Sequence, residues 1–330
     1  MKKFLAIALC LLMVMSTLLV ACNKDNGDDE KENATTKFGA GVYVGTPTVT
    51  DATEEKDGTG KVDVTVAAIV VDADGRIVAC EVDTTSNTVN YNFEGVAIEG
   101  EFKTKREYGA DYGMVAYGGA KKEWFEQADA FESVVVGKTL DEVKSLVVAE
   151  NKGNDEVINA GCTIMINEFV AAIEKAYKDA TKEVSADAEL KINIVTDQIR
   201  TDATEEKDGT SKIAVNVFAA AFDAEDKVLA ASSDCVEVLF GFTVEGAATL
   251  DTTAAILTKK EQGSAYGMVT YGHAKKEWFE QAAAFDAACV GKTTAEIAGL
   301  KDDDGKGIAD LQTAGCTIDV SDFVKTATKE

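Results

Sequence analysis

Histidine is nearly missing from this chain: its 330 residues include one, His273. One imidazole cannot serve a Ser-His-Asp relay in two places, and no other nucleophile-base spacing recurs, so a hydrolytic enzyme is the least supported function class. Cysteine is too sparse and scattered for a disulfide framework. With Cys10 and Cys22 set aside near the N-terminus, Cys80, Cys162, Cys235, Cys289 and Cys316 remain, an odd set without any Cys-x-x-Cys. That excludes c-type haem attachment and zinc-finger spacing. Positive charge is also short, 33 Lys and Arg against 58 Asp and Glu, for a formal net charge of −25. Such a surface repels phosphate backbones, which excludes nucleic acid as a partner, and it reads as a hydrated, solubilising exterior rather than as a site. Gly137-Lys138-Thr139 and Gly291-Lys292-Thr293 have no glycine five residues ahead and follow helical patterns, so neither is a phosphate-binding loop.

What is present begins with Lys2 and Lys3, an uncharged run from Phe4 to Val20, and the sequence Leu19-Val20-Ala21-Cys22. A basic start, an apolar stretch shorter than the ~20 residues of a membrane span and a small residue before cysteine form an export signal. The pattern resembles the bacterial lipobox. That resemblance implies that residues 1–21 are removed, that Cys22 is acylated, and that the chain sits on a membrane facing away from the cytoplasm. Residues 23–37 are polar and acidic, so with Cys22 they are expected to form a flexible tether with a reach of roughly 20 Å.

Two blocks recur. DATEEKDGT stands at residues 51–59 and 202–210, and AKKEWFEQA at 120–128 and 274–282, offsets of 151 and 154. The reading is an internal duplication into domains 38–180 and 188–330, joined by a linker over 181–187. Each copy is expected to be α+β, an antiparallel β-hairpin or sheet packed with amphipathic helices. The hairpin covers Lys61 to Val71 and Ile77 to Val82 around Asp72-Ala73-Asp74-Gly75, and its counterpart is Lys212 to Phe222 with the strand from Val228. Asp72 and Asp74 are read as turn residues rather than calcium ligands, because Asp223 to Lys227 lacks the glycine. Trp124, Ala128, Phe131 and Val135 share one face of a helix starting near Lys121, as do Trp278, Ala282, Phe285 and Cys289. Gly137 and Gly291 should stop these helices, and Thr139 and Thr293 should cap the next.

Each copy closes with Gly161-Cys162-Thr163-Ile164 or Gly315-Cys316-Thr317-Ile318, ahead of an apolar helical face carrying Phe169, Val170, Ile173 and Tyr177, or Phe323 and Val324. A hairpin with an Asp-Gly turn, followed later by a small-Gly-small-Thr stretch before an amphipathic helix, is similar to the bacterial FMN-binding domain. That family's motif is Asp-x-x-Ser/Thr-Gly-Ala-Thr, with a threonine able to carry FMN through a phosphoester. Here Ala160 and Ala314 stand at the Ser/Thr position, Cys162 and Cys316 replace alanine, and Glu156 and Asp310 lie one residue too far back, which argues against covalent attachment. The resemblance implies FMN as cofactor, held by Gly161, Cys162, Thr163, Gly315, Cys316 and Thr317. Tyr112 and Tyr266, in the repeated Tyr-Gly-Met-Val loops, are added as aromatic walls for it, the alternative being loop anchors whose rings cover a core edge. Lys105 and Lys259, each two residues before a glutamate, also recur. The expected function is a monomeric, membrane-tethered flavin electron carrier fed by a membrane redox donor; the alternative is a surface binding or structural lipoprotein without cofactor. No residue is assigned a catalytic or metal-ligating role.

Overall fold

The computed structural model describes residues 35–329. The export signal, Cys22 and the tether as far as residue 34 lie outside the described residues. The first half runs β1 (Thr36–Val44), β2 (Thr48–Thr50), β3 (Gly58–Val71), β4 (Ile77–Tyr91), β5 (Ala97–Ile98), α1 (Lys105–Tyr108), α2 (Trp124–Val135), α3 (Leu140–Lys144), α4 (Asp155–Ala160) and α5 (Asn167–Asp179). After β6 (Lys182–Val184), the second half repeats most of that order as β7 (Glu189–Thr201), β8 (Gly209–Phe222), β9 (Val228–Phe242), α6 (Lys259–Gln262), α7 (Trp278–Cys289), α8 (Thr294–Ile297), α9 (Ala309–Ala314) and α10 (Ser321–Ala327). One sheet has the order β5-β4-β3-β1-β6, with β2 also on β3, and the other β7-β8-β9; every pairing is antiparallel. The fold class is α+β, as expected.

Strand parity sets the layers. In β3, Val62, Val64 and Val66 meet Ile213, Val215 and Val217 of β8 in a core between the two sheets. The alternate residues Ala67, Ile69 and Val71 turn outward onto Trp124, Phe131, Phe169 and Ile173 of α2 and α5. In β8 the outward set is Phe218, Ala220 and Phe222, covered by α7 and α10. Both sheets are therefore buried on both faces over part of their length, which is why the alternation in β3 gives way to the unbroken apolar run Val66 to Val71. The predicted turns form as read: Asp72 Oδ1 accepts from Asp74 N–H (3.0 Å) and Arg76 N–H (2.8 Å), and Asp223 Oδ1 from Glu225 N–H (3.0 Å) and Lys227 N–H (2.8 Å). The carboxylates serve their own turns.

The predicted helix face is buried at Trp124, Ala128, Phe131 and Val135, and Gly137 and Gly291 take left-handed φ of 84° and 77° beyond it. Thr139 and Thr293 begin capping boxes with Glu142 and Glu296. Four expectations differ. The α2 helix starts at Trp124 rather than near Lys121, because Glu123 and Glu126 close a capping box there. Thr36 and Lys37, expected in the tether, belong to β1, and the expected linker 181–187 contains β6, which pairs Val184 with Thr36 and accepts the Thr36 hydroxyl at 2.6 Å. The β4 strand runs on to Tyr91, since its buried polar residues find partners, Thr84 with Thr65 at 2.9 Å and Thr85 with Asn87 at 3.2 Å.

The halves clasp each other reciprocally. Ala52 N–H donates to Gly246 O (2.8 Å) and Ala203 N–H to Gly95 O (2.7 Å). Asp51 Oδ1 accepts from Ala248 N–H (2.8 Å), and Asp202 Oδ1 from Ala97 N–H (2.9 Å). Lys329 pairs with Glu107 (2.7 Å) and Lys175 with Glu261 (2.6 Å). Tyr91 stacks on Phe242, 4.4 Å between centroids and 6° between planes. Each contact has its mirror at the same sequence offset, as in a two-fold interface formed within one chain. The repeated DATEEKDGT block thus supplies the clasp through its first two residues, and the described residues form one compact unit.

Candidate functional site

The Ala-Gly-Cys-Thr segments end helices α4 and α9. Gly161 and Gly315 both adopt φ of 109° as C-caps, their N–H groups bonded back to the last carbonyls of the helix. A Cβ at Gly161 would lie 2.3 Å from Lys122 Nζ, and one at Gly315 2.2 Å from Lys276 Nζ. These ammonium groups donate to Ala160 O (3.4 Å) and Ala314 O (3.0 Å), as cations do at helix C-termini. Thr163 is held through both its N–H (2.8 Å) and its hydroxyl (2.9 Å) by Oε1 of buried Gln127; Thr317 is held likewise by Gln281 (2.8 and 3.2 Å). Cys162 and Cys316 are fully buried core residues whose thiols burial pushes up to about 11. These segments therefore present no helix N-terminus to the phosphate of the FMN that the resemblance implies. The segment follows a helix C-terminus, where carbonyls rather than N–H groups face outward, and three residues separate the threonine from the next helix.

The repeated Lys-Glu-Trp-Phe-Glu-Gln block is the hub of each half. Besides the roles of Lys122 and Gln127, the nearly buried Glu123 carboxylate accepts from Met114 N–H (2.9 Å) and Val115 N–H (3.0 Å), and Glu277 from Met268 N–H (2.9 Å) and Val269 N–H (3.2 Å). One six-residue block thus pins both the Tyr-Gly-Met-Val loop and the Gly-Cys-Thr turn.

The pinned loop brings Tyr112 and Tyr266 against Lys105 and Lys259. Lys105 Nζ lies 5.6 Å from the Tyr112 ring centre and 5.5 Å from that of Trp124; Lys259 Nζ lies 5.1 Å from Tyr266 and 5.6 Å from Trp278. Each ammonium sits between two aromatic faces, in range for attraction to their quadrupoles. The Thr-x-x-Glu capping boxes Thr104–Glu107 and Thr258–Glu261 fix the short helices that begin with these lysines. Asp83 and Asp234 anchor the same helices from the sheet, accepting from Arg106 N–H (3.3 Å) and Lys260 N–H (3.1 Å). The lysines and tyrosines recur visibly in the sequence, but the cage that joins them is a product of the fold.

A carboxylate accompanies each cage, but on different strands. In the first half it is Asp63 on β3, facing Ser86 across the ladder; in the second, Ala214 stands at the β8 position and Glu237 at the facing position on β9. The acid has crossed the ladder to its partner strand. Asp63 lies 3.6 Å from Lys61, whereas Glu237 lies 2.8 Å from Lys212 and 3.3 Å from Lys259 and accepts the Tyr266 hydroxyl at 3.4 Å. Burial draws Lys105 below its ordinary pKa despite Asp63 and Glu168. Burial acts on Lys259 too, but Cys235, Glu237 and Tyr266 outweigh it and hold the ammonium above its ordinary pKa.

In the second half the cage lines a cavity. It has a volume of about 310 Å³, bounded by Lys259, Tyr266, Met268, Trp278, Ile318 and Phe323, with Asp319 and Asp322 also lining it. Trp278 stacks on Phe323 at 21°, whereas Trp124 meets Phe169 edge-on at 81°. Of the expected site residues, the structure places Tyr266 in this wall. Thr317 is the exposed residue just before Ile318, and Gly315 and Cys316 serve the turn and the core. The chain matches no family model, no characterised protein and no solved structure.

Proposed function

We propose that this chain is a lipid-anchored, extracytoplasmic binding protein built from two duplicated domains, and that the second-half cage holds a planar aromatic ligand, a flavin first of all. The observation that carries this reading is the 310 Å³ cavity walled by Tyr266, Trp278 and Phe323 around a fixed ammonium, Lys259. That size falls at the lower end of small-ligand sites, and an aromatic wall with one polar group suits a heteroaromatic ring bearing acceptor atoms. A flavin there would supply redox chemistry, making the chain an electron carrier for a membrane donor. The protein's part is to stack the ring, present Lys259 to its acceptors and exclude water.

Asp319 and Asp322 oppose a phosphate at this cavity. Riboflavin is thus expected to bind the purified mature chain at least as tightly as FMN, with saturable quenching of flavin fluorescence. Trp278→Ala should weaken it roughly tenfold, the effect of losing about 1.4 kcal/mol of stacking, and Thr317→Ala should leave it unchanged. No saturable quenching by either flavin would sink the flavin reading and favour the cofactor-free binding or structural lipoprotein. The second reading is supported by the Gln127 and Gln281 locks on Thr163 and Thr317. The anchor rests on the Leu-Val-Ala-Cys layout alone. Cys22→Ser should move the chain from the membrane fraction to the soluble one, and retention of that variant in the membrane would refute lipidation at Cys22.

A further inference from the structure

A second cavity of about 460 Å³ lies between α7 and the segment from Asp179 to Lys182, with an apolar wall that includes Ala283, Ala287, Phe279 and Val290, and with the Asp286 carboxylate and the Asp179–Lys182–Lys260 ion-pair group among its polar lining. In the first half the same place is narrowed to about 240 Å³, beside an arginine network. There Arg106 donates Nε–H to Val82 O (2.8 Å), Nη1–H to Asp129 Oδ1 (2.7 Å) and Nη2–H to Glu132 Oε1 (2.5 Å). At the 154-residue offset the second half has Lys260 for Arg106, Ala283 for Asp129 and Asp286 for Glu132. Lys260 does not take the place of the guanidinium. Its Nζ turns to Asp179 Oδ1 (3.0 Å) and Ser232 Oγ (2.7 Å), and Lys182 is likewise paired with Asp179 at 3.3 Å.

Among the described residues Asp286 is hydrogen-bonded to Ser233 alone. Although only 7% exposed, it accepts from Ser233 N–H (3.0 Å) and Ser233 O–H (2.5 Å), while Lys260 and Lys182, both paired with Asp179, act on its charge from beyond ion-pair distance. A buried carboxylate without a direct ion pair is costly, and each of its oxygens retains a lone pair for a further donor. Replacement of the acidic and hydroxylic side chains Asp129 and Ser133 by Ala283 and Ala287 has at the same time opened an apolar approach to it.

We propose that this cavity is a second binding site, for a small molecule with a guanidinium head on an apolar body, the head pairing with Asp286 as Arg106 pairs with Glu132. The alanine walls take the body. A planar fork of N–H donors matches a carboxylate with two free lone-pair directions better than a compact ammonium does. The chain's net charge of −25 raises the local concentration of any cation. The site is independent of the flavin reading, since it shares only Ser233 with the aromatic cage.

The test is calorimetric titration of the mature chain with hexylguanidinium, hexylammonium and the uncharged isostere hexylurea. Hexylguanidinium should bind tightest and hexylurea at least tenfold more weakly. Asp286→Asn should erase the difference between guanidinium and urea while leaving the apolar contribution. Should that variant fail to fold, Lys260→Arg with Ala283→Asp rebuilds the arginine closure of the first half and should abolish hexylguanidinium binding in a folded protein. Equal affinity for hexylurea, binding that survives the rebuilt closure, or no binding of hexylguanidinium would each overturn the proposal. The first of these would mean that Asp286 is simply a neutral acid bonded to Ser233.

Discussion

Phe240→Ala is expected to lower the stability of the whole described unit by about 3–5 kcal/mol, the usual cost of emptying a buried phenylalanine site. The ring is 1% exposed and lies in the core between the two sheets, where a Cβ added at Gly60 of the opposing sheet would come within 2.2 Å of it. That contact explains why a glycine interrupts β3: a side chain at residue 60 would occupy the volume of a ring from the other half. Because Val62, Val64 and Val66 share the same core with Val236 and Val238, a hole made in the second half also strips contacts from the first. Thermal unfolding should therefore stay a single transition at lower temperature, with tryptophan fluorescence and far-ultraviolet circular dichroism moving together. Two separated transitions, with Trp124 reporting a first half of unchanged stability, would show that the halves fold independently and that the shared core counts for little. The reciprocal change Gly60→Leu should also destabilise, by overpacking.

The second large effect is on pH dependence. Burial pushes Asp83 and Asp234 from the ordinary aspartate range up to about 6, against the lowering effect of hydrogen bonds from Thr104 and Thr258 and from nearby backbone N–H groups. Asp83 is buried and Asp234 partly buried, and both hold the first turn of the short cage helix to the sheet. A carboxyl whose pKa is higher in the folded state binds its proton more tightly there. Folding is therefore favoured below about pH 4 and penalised progressively as pH rises through 6, by on the order of 3 kcal/mol for each residue above that point. Asp83→Asn together with Asp234→Asn keeps an oxygen for the backbone donors and removes the charge. The double variant should be more stable than the parent at pH 7, by several kcal/mol at most, with the gap closing as pH falls from 6 to 4 in denaturant titrations. A gap that does not vary across this interval would refute the shift. Other carboxylates run the opposite way, Asp179 being held low by Lys260 and Lys182 in spite of its burial, so the difference between variant and parent is the informative quantity.

Much of this was legible from local pattern. Valine alternation, Asp-Gly turn chemistry, the apolar face from Trp124 to Val135 and the caps at Thr139 and Thr293 are set by neighbours a few residues apart, and the structure has them where local pattern places them. The opening strands β1 and β7 were not read, since β1 is glycine-spaced: Gly39 and Gly41 lie under α5, whose Ala176 and Ala172 carbonyl oxygens would each be 2.2 Å from an added Cβ. Such a strand shows its reason only against the helix it touches.

The candidate site divides the same way. The sequence by itself determined that Lys105 and Lys259, Tyr112 and Tyr266, and the two threonines recur in register, because repetition is a property of the string. What those residues do was decided by contacts between distant positions: Gln127 reaching Thr163 across 36 residues, Glu237 taking over across the ladder from the position of Asp63, and Asp51 closing on Ala248 across 197. Periodicity reports which face a side chain occupies, whereas hydrogen bonds and ion pairs depend on where another element brings its donors. For that reason only the tertiary structure distinguished the Gly-Cys-Thr turn, whose polar groups are already bonded, from the cage and the Asp286 cavity, whose groups are left with capacity to spare.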